Sequence, residues 1–132
     1  MKVLVHVDGG ARGNPGPAAV GVIVASRLGE VLESRAEPIG EATNNVAEYR
    51  ALLLGLERAR ALGANEVELV GDSELVVRQV NGEYRVKNHA LKPLHAAVME
   101  ALAGFERWQL RHVPREQNAD ADALVNAALD DA

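Results

Sequence analysis

This chain of 132 residues contains no cysteine. Disulfide frameworks, thiol nucleophiles and thiolate metal sites are excluded, and a reducing compartment fits. No apolar run approaches the ~18 residues of a membrane span. The first apolar stretch, Val3–Val7, is too short for a secretory core; it contains His6 and is followed at once by Asp8. A cytoplasmic protein is the expectation, with no membrane partner. The histidines His6, His89, His95 and His112 show no metal-ligand spacing such as His-x-x-x-His. The glycine-rich stretch Gly9–Pro17 lacks the Lys-Ser/Thr of a phosphate loop and is not a dinucleotide fingerprint leading into a helix. Gly71-Asp72-Ser73-Glu74-Leu75 looks like a serine-hydrolase block, but no Asp-x-x-His follows it near the C-terminus. No repeat, low-complexity tract or linker appears, so residues 1–132 are expected to form one domain.

What is present is an ordinary globular composition, 48% hydrophobic and 25% charged, which argues against disorder. The net charge of −5 is unevenly spread. Residues 1–72 carry 7 Lys/Arg against 10 Asp/Glu, residues 73–115 carry 7 against 4, and residues 116–132 carry 0 against 5. A basic middle segment thus sits on an acidic body. A phosphate backbone is one partner for it; a solvated mixed surface is the plain alternative.

Lys2–Asp8 reads as a strand buried on both faces. Gly9–Pro17 reads as a loop, Ala18–Ser26 and Val31–Ile39 as two further strands joined by a tight turn at Leu28-Gly29-Glu30. Short connections make these three antiparallel. Thr43 has the character of an N-cap. Val46, Tyr49, Leu53 and Leu56 then recur at helical spacing until Gly63. Glu66–Asp72 is a fourth strand, parallel to the first by the crossover rule. A short helix, Ser73–Val80, ends at Asn81-Gly82. A helix starting with Pro93 in its first turn follows. Trp108–Val113 is a fifth strand, and the stripe Ala121, Leu124, Val125, Ala128, Leu129 marks a last helix. The expected fold class is α/β, a mixed five-stranded sheet with helices on both faces.

Four carboxylates fall at strand ends or about one turn inside helices: Asp8, Glu48, Asp72 and Asp122. Such folds bring parallel strand ends and helix starts to one rim, where ligands bind. Carboxylates gathered there repel unless a cation joins them, and Mg²⁺ takes oxygen ligands. Metal-assisted phosphoryl chemistry is the leading reading. Each residue also has a plainer role open to it. Asp8 before Gly9-Gly10 suits a turn. Glu48 borders its helix's apolar stripe, and Asp72 suits an N-cap. Asp120 and Asp122 flank the last stripe equally, and periodicity does not choose between them.

The blocks Asp8-Gly9-Gly10-Ala11-Arg12-Gly13-Asn14-Pro15-Gly16-Pro17, Thr43-Asn44-Asn45-Val46-Ala47-Glu48, Gly71-Asp72-Ser73, and Val113-Pro114-Arg115-Glu116-Gln117-Asn118 with Ala121-Asp122-Ala123-Leu124 together resemble ribonuclease H type 1. They fall in family order and span essentially the whole chain. The resemblance implies a ribonuclease H-like sheet of three antiparallel strands followed by two parallel ones. It implies an endonuclease that hydrolyses the RNA strand of RNA–DNA hybrids, leaving 5′-phosphate and 3′-hydroxyl ends. It places two Mg²⁺, with Mn²⁺ as substitute, on Asp8, Glu48, Asp72 and Asp122, and it selects Asp122 over Asp120. Asp8, Glu48 and Asp72 would hold one ion, Asp8 and Asp122 the other. Arg115 falls where many members carry a mobile histidine, as in the shorter archaeal and bacterial branch. The basic, Trp-rich protrusion of the best-known members is missing; the short stretch Gly82–Leu91 stands there, with Arg85, Lys87 and Lys92 nearby. Substrate contacts are expected from Gly9, Gly10, Ala11, Arg12, Asn14, Thr43, Asn44 and Asn45: Asn14, Asn45 and the Gly9-Gly10-Ala11 backbone are suited to a 2′-hydroxyl, and Asn44 and Thr43 to the DNA strand and its phosphate. A monomer is expected. The rival reading is a non-catalytic nucleic-acid-binding module on the same fold.

Overall fold

Strand β1, Lys2–Ala11, is the centre of the sheet. Its alternation sends Val3, Val5 and Val7 into the main core and turns Leu4, His6 and Asp8 to the opposite face. The computed structural model describes residues 1–131. Strands β2 (Gly16–Ser26) and β3 (Val31–Ala42) follow as an antiparallel meander, then helix α1 (Asn44–Ala61) crosses over to β4 (Glu66–Gly71). Helices α2 (Glu74–Val80) and α3 (Lys92–Ala103) lead to β5 (Arg107–His112). A 3-10 turn, Arg115–Asn118, opens helix α4 (Ala119–Asp130). The sheet order is β3-β2-β1-β4-β5, with β1, β4 and β5 mutually parallel.

One face of the sheet carries the main core. Tyr49, Leu52 and Leu56 of α1 and Val98 and Leu102 of α3 belong to it together with the strand valines, α3 lying beside α1. Each such side chain contributes roughly 1.5–3 kcal/mol by burial. The other face is covered by α4, whose Val125 and Leu129 meet Ala19. Helices therefore lie on both faces, as expected.

The differences from the sequence-based boundaries are instructive. β1 runs to Ala11 and β2 starts at Gly16, so the expected loop shrinks to residues 12–15. Gly9, Gly10 and Ala11 continue the ladder because β2 offers partners for all three. Likewise β3 passes Pro38 to reach Ala42 by a bulge at Ile39, with Gly40 at a φ of 78°. Helix α1 keeps its expected caps: Thr43 Oγ1 accepts from the Val46 N–H at 3.2 Å, and the chain leaves through Gly63 at a φ of 89°. Helix α2 is capped by Ser73, whose Oγ accepts from the Val76 N–H at 3.4 Å, and not by Asp72.

Candidate active site: carboxylates at the parallel strand ends

The pairing of β1 with β4 stops at His6–Val70, whereas β1 continues for five more residues. Over that overhang one edge of β1 has no neighbouring strand. The Arg12 N–H donates across to Pro17 O of β2 at 2.8 Å. By alternation, the N–H groups of Gly9 and Ala11 turn away from β2, toward the vacated edge. The buried Gly9 donor needs a partner, and helix α1 supplies one to it and to the more exposed Ala11 N–H. Gly9 N–H donates to Glu48 Oε1 at 3.1 Å, and Ala11 N–H donates to Asn44 Oδ1 at 2.8 Å. Asn44 and Glu48 are four apart, so one helical face meets one strand edge. Gly9 makes the approach possible. A Cβ there would lie 2.7 Å from the Glu48 backbone nitrogen and would overlap the Ala47 carbonyl. Glu48 is thereby fixed beside Asp8.

Asp122 arrives from the other face. Asp8 is paired in register with Gly21 of β2. A Cβ on Gly21 would stand 2.6 Å from the Ala121 carbonyl oxygen and 2.9 Å from the Leu124 Cβ. The bare glycine lets the first turn of α4 lie directly on the sheet, next to Asp8. Asp120, on the other side of the same helix, borders a separate groove with Leu4 and His6. We expect Gly21→Ala to lift this helix, at a cost of roughly 1–3 kcal/mol in stability. The accompanying loss of divalent-cation affinity should exceed that of an equally destabilising change in the main core. Thermal melts and calorimetric Mg²⁺ titrations of the two variants check this.

Asp72 follows the last residue of β4. One carboxylate oxygen from each of Asp8, Glu48 and Asp72 lies within 4.8 Å of the other two. Together with Asp122 they line a cleft of about 500 Å³. Asp8 and Glu48 are only 5% and 8% exposed. Burial, chiefly, pushes the Asp8 carboxyl up to about 7, and the nearby charges of Asp72 and Asp122 add to it; a hydrogen bond from Glu48 acts the other way. Burial and the Asp8 charge hold Glu48 well above the ordinary carboxylic range. Arg115 is the cation that meets the cluster, with Nη2 at 3.3 Å from Asp122 Oδ1, and it is largely exposed. A set of hard oxygen donors, close, partly desolvated and short of positive charge, fits a divalent cation of the Mg²⁺ type.

The remaining expected residues divide. Gly9, Gly10, Ala11, Arg12, Asn44, Asn45 and Arg115 line the cleft. Asn14 and Thr43 do not. Asn14 instead accepts the Asn44 N–H at 3.0 Å, tying the 12–15 loop to the start of α1, and Thr43 caps that helix. Arg12 is engaged by Asp130 at 2.6 Å. His112 stays with its strand and meets the Asp72 backbone carbonyl at 3.2 Å. Three cleft residues were not anticipated: Ser73, Leu129 and Asn126, the last donating to Asp122 Oδ2 at 3.4 Å. Asn126 was findable, being one turn after Asp122 on one helical face.

Similarity to known proteins extends over essentially the whole chain. The family described as Reverse transcriptase-like matches residues 6–128. The ribonuclease HI of Halobacterium salinarum is 46% identical over 131 residues, 99% of this chain and 66% of that protein. A bifunctional protein of Mycobacterium tuberculosis is 45% identical over 131 residues, 98% of this chain and 36% of that protein. The chain thus spans less than two thirds of the length of these relatives. The crystal structure of the RNase H1 from Halobacterium salinarum superposes with a TM-score of 0.98 at 45% identity, over 100% of both chains. The crystal structure of LC11-RNase H1 in complex with an RNA/DNA hybrid gives 0.93 at 44% identity, covering 98% of this chain and 97% of that one.

Proposed function

The chain belongs to the ribonuclease H type 1 family, and from that premise we propose that it is an endonuclease cutting the RNA strand of RNA–DNA hybrids. The observation that carries the reading is the convergence of Asp8, Glu48, Asp72 and Asp122 on one cleft. In this reading Asp8, Glu48 and Asp72 hold one divalent ion and Asp8 with Asp122 a second, Mg²⁺ or Mn²⁺. Bound there, such ions supply Lewis acidity toward a phosphoryl oxygen and offset the carboxylate charge.

The chain's own groups do the rest. The cleft lies open beside the Gly9–Ala11 backbone, where a sugar can come close without meeting a side chain larger than methyl. Asn44 has its Oδ1 committed to Ala11, which leaves its amide N–H groups to donate outward. Asn45 lines the same wall. Donors at this position suit a 2′-hydroxyl, the group that separates RNA from DNA. Beyond α2, Arg85, Lys87 and Lys92 form a run of exposed cations that enter no salt bridge among the described residues. They suit a phosphate backbone running on from the cleft. Among the described residues no helix is long and apolar enough to cross a membrane. A cytoplasmic location and a monomeric state belong to the same reading.

The test is cleavage of matched end-labelled duplexes in Mg²⁺: an RNA–DNA hybrid, duplex DNA and duplex RNA. We expect cutting of the hybrid alone, in its RNA strand, with 5′-phosphate and 3′-hydroxyl ends. Equal cutting of duplex DNA, or none of the hybrid, overturns the proposal.

A guanidinium acts as a fixed positive charge and not as a base, and that is the role of Arg115 in this reading. Its place beside Asp122 suits contact with the scissile phosphate or release of the product. We expect Arg115→Ala to lower kcat by about 10-fold or more with little change in KM. Unchanged turnover would remove Arg115 from the site.

A further inference from the structure

Asn118 is 1% exposed, the most buried polar side chain among those described. It stands at the junction of the 3-10 turn and α4, in the N-cap position, yet its side chain makes no capping hydrogen bond. It is used instead to reach β1. Asn118 Nδ2 donates to the Val7 carbonyl at 2.8 Å. Its Oδ1 lies 3.1 Å from His6 Nδ1. With the amide nitrogen committed to a carbonyl, Oδ1 must accept, so His6 Nδ1 carries the proton.

The Val7 carbonyl belongs to the peptide that joins Val7 to Asp8. Asn118 precedes Asp122 by four residues, one helical turn, and follows Arg115 by three. One amide therefore connects the main chain of Asp8, the helix that delivers Asp122, and the turn that carries Arg115. The Gly21 contact fixes how closely α4 approaches the sheet, but a glycine contact leaves the helix free to slide along its axis. The Asn118 bonds are directional and oppose that slide. From this geometry we infer that His6 and Asn118 are a positioning pair, which sets the separation of Asp8 and Asp122 and so the affinity of this site for its divalent ion. The inference rests on the proposed metal-dependent reading of the cleft. It assigns no contact with substrate to either residue.

Groups that hold a metal ligand in place typically cost about 10–100-fold in metal affinity or activity when removed. We expect Asn118→Ala to weaken Mg²⁺ binding by about 10-fold or more in calorimetry on the intact protein, with no nucleic acid present. On the hybrid, kcat should fall while KM changes by less than about 3-fold. His6→Phe, which removes the donor but keeps the ring volume, should move metal affinity in the same direction. His6→Gln, which restores a donor, should recover part of it. Val98→Ala, in the core on the far face, controls for lost stability: at a similar fall in melting temperature it should leave Mg²⁺ affinity unaltered. Wild-type Mg²⁺ affinity in both Asn118→Ala and His6→Phe, or an equal loss in Val98→Ala, would overturn the inference. If Asn118→Ala does not fold, the His6 pair decides. Failure of the nuclease reading is told apart by the wild-type protein, which would then bind Mg²⁺ without cutting the hybrid.

Discussion

Asp72→Asn should reduce hybrid cleavage by about three orders of magnitude while leaving the fold as stable as before. The structural half of that expectation follows from what Asp72 does not do. Ser73 caps α2, His112 meets the Asp72 backbone and not its side chain, and the side chain is only half-buried at the rim. Asparagine has the same shape and removes one negative charge. The functional half follows from that charge. A unit charge about 4 Å from a cation is worth about 4 kcal/mol at an effective dielectric near 20, and each 1.36 kcal/mol is about a factor of ten in rate. Hybrid cleavage by the purified variant, beside its thermal melt, is the measurement. Turnover near that of the wild type would exclude Asp72 from the reaction. A collapse of the melting temperature would show that the residue serves the fold.

The second large effect concerns the metal-free protein, which should become less stable as pH rises from about 4 to about 7. Asp8 ionises near 3.8 in an unfolded chain and near 7 in the folded one. Between those values the folded state retains a proton that the unfolded state has released. Its contribution is thus fully present below 3.8 and lost as pH climbs through about 7. Glu48 is displaced in the same direction. A shift of this size corresponds to about 4 kcal/mol for Asp8 alone. Asp8→Asn removes the charge, so in chelator at pH 7.5 it should melt higher than the wild type by roughly 5–10 °C. Added Mg²⁺ should reverse the order, since a ligand of the folded state raises only the protein that binds it. Glu33 opposes this trend in acid, because its bond to Arg58 holds its carboxylate below the ordinary range; taking the difference between wild type and variant removes that background. A flat wild-type melting temperature across this pH span in chelator, or a variant that melts lower, would show that the carboxylates are not under strain.

Much of the site was legible without coordinates because its chemistry is carried by residue type at element ends. Apolar runs locate strands and helices, and Asp8, Glu48, Asp72 and Asp122 stand where those runs stop or just inside helices. The absence of cysteine removed whole classes of chemistry. Periodicity gave both faces of the sheet their helices, since a period of two or 3.6 is a local property of the chain.

The rest depended on distances between segments far apart in sequence. Asp120 and Asp122 are equivalent on a helical wheel; only the contact of α4 with Gly21, and the anchoring of Asn118 on Val7, turn Asp122 toward Asp8. Gly9-Gly10-Ala11 reads as loop from composition, yet becomes strand because β2 pairs with it. Gly9 then serves a purpose no propensity scale records, allowing the α1 backbone to approach so closely that Glu48 can take its N–H. From residue types along the chain came the candidate groups and the element near which each would lie. The tertiary structure alone decided which of them meet, because closeness between a strand and a helix depends on the missing side chain of a glycine some 40 or 100 residues away, and no local pattern contains it.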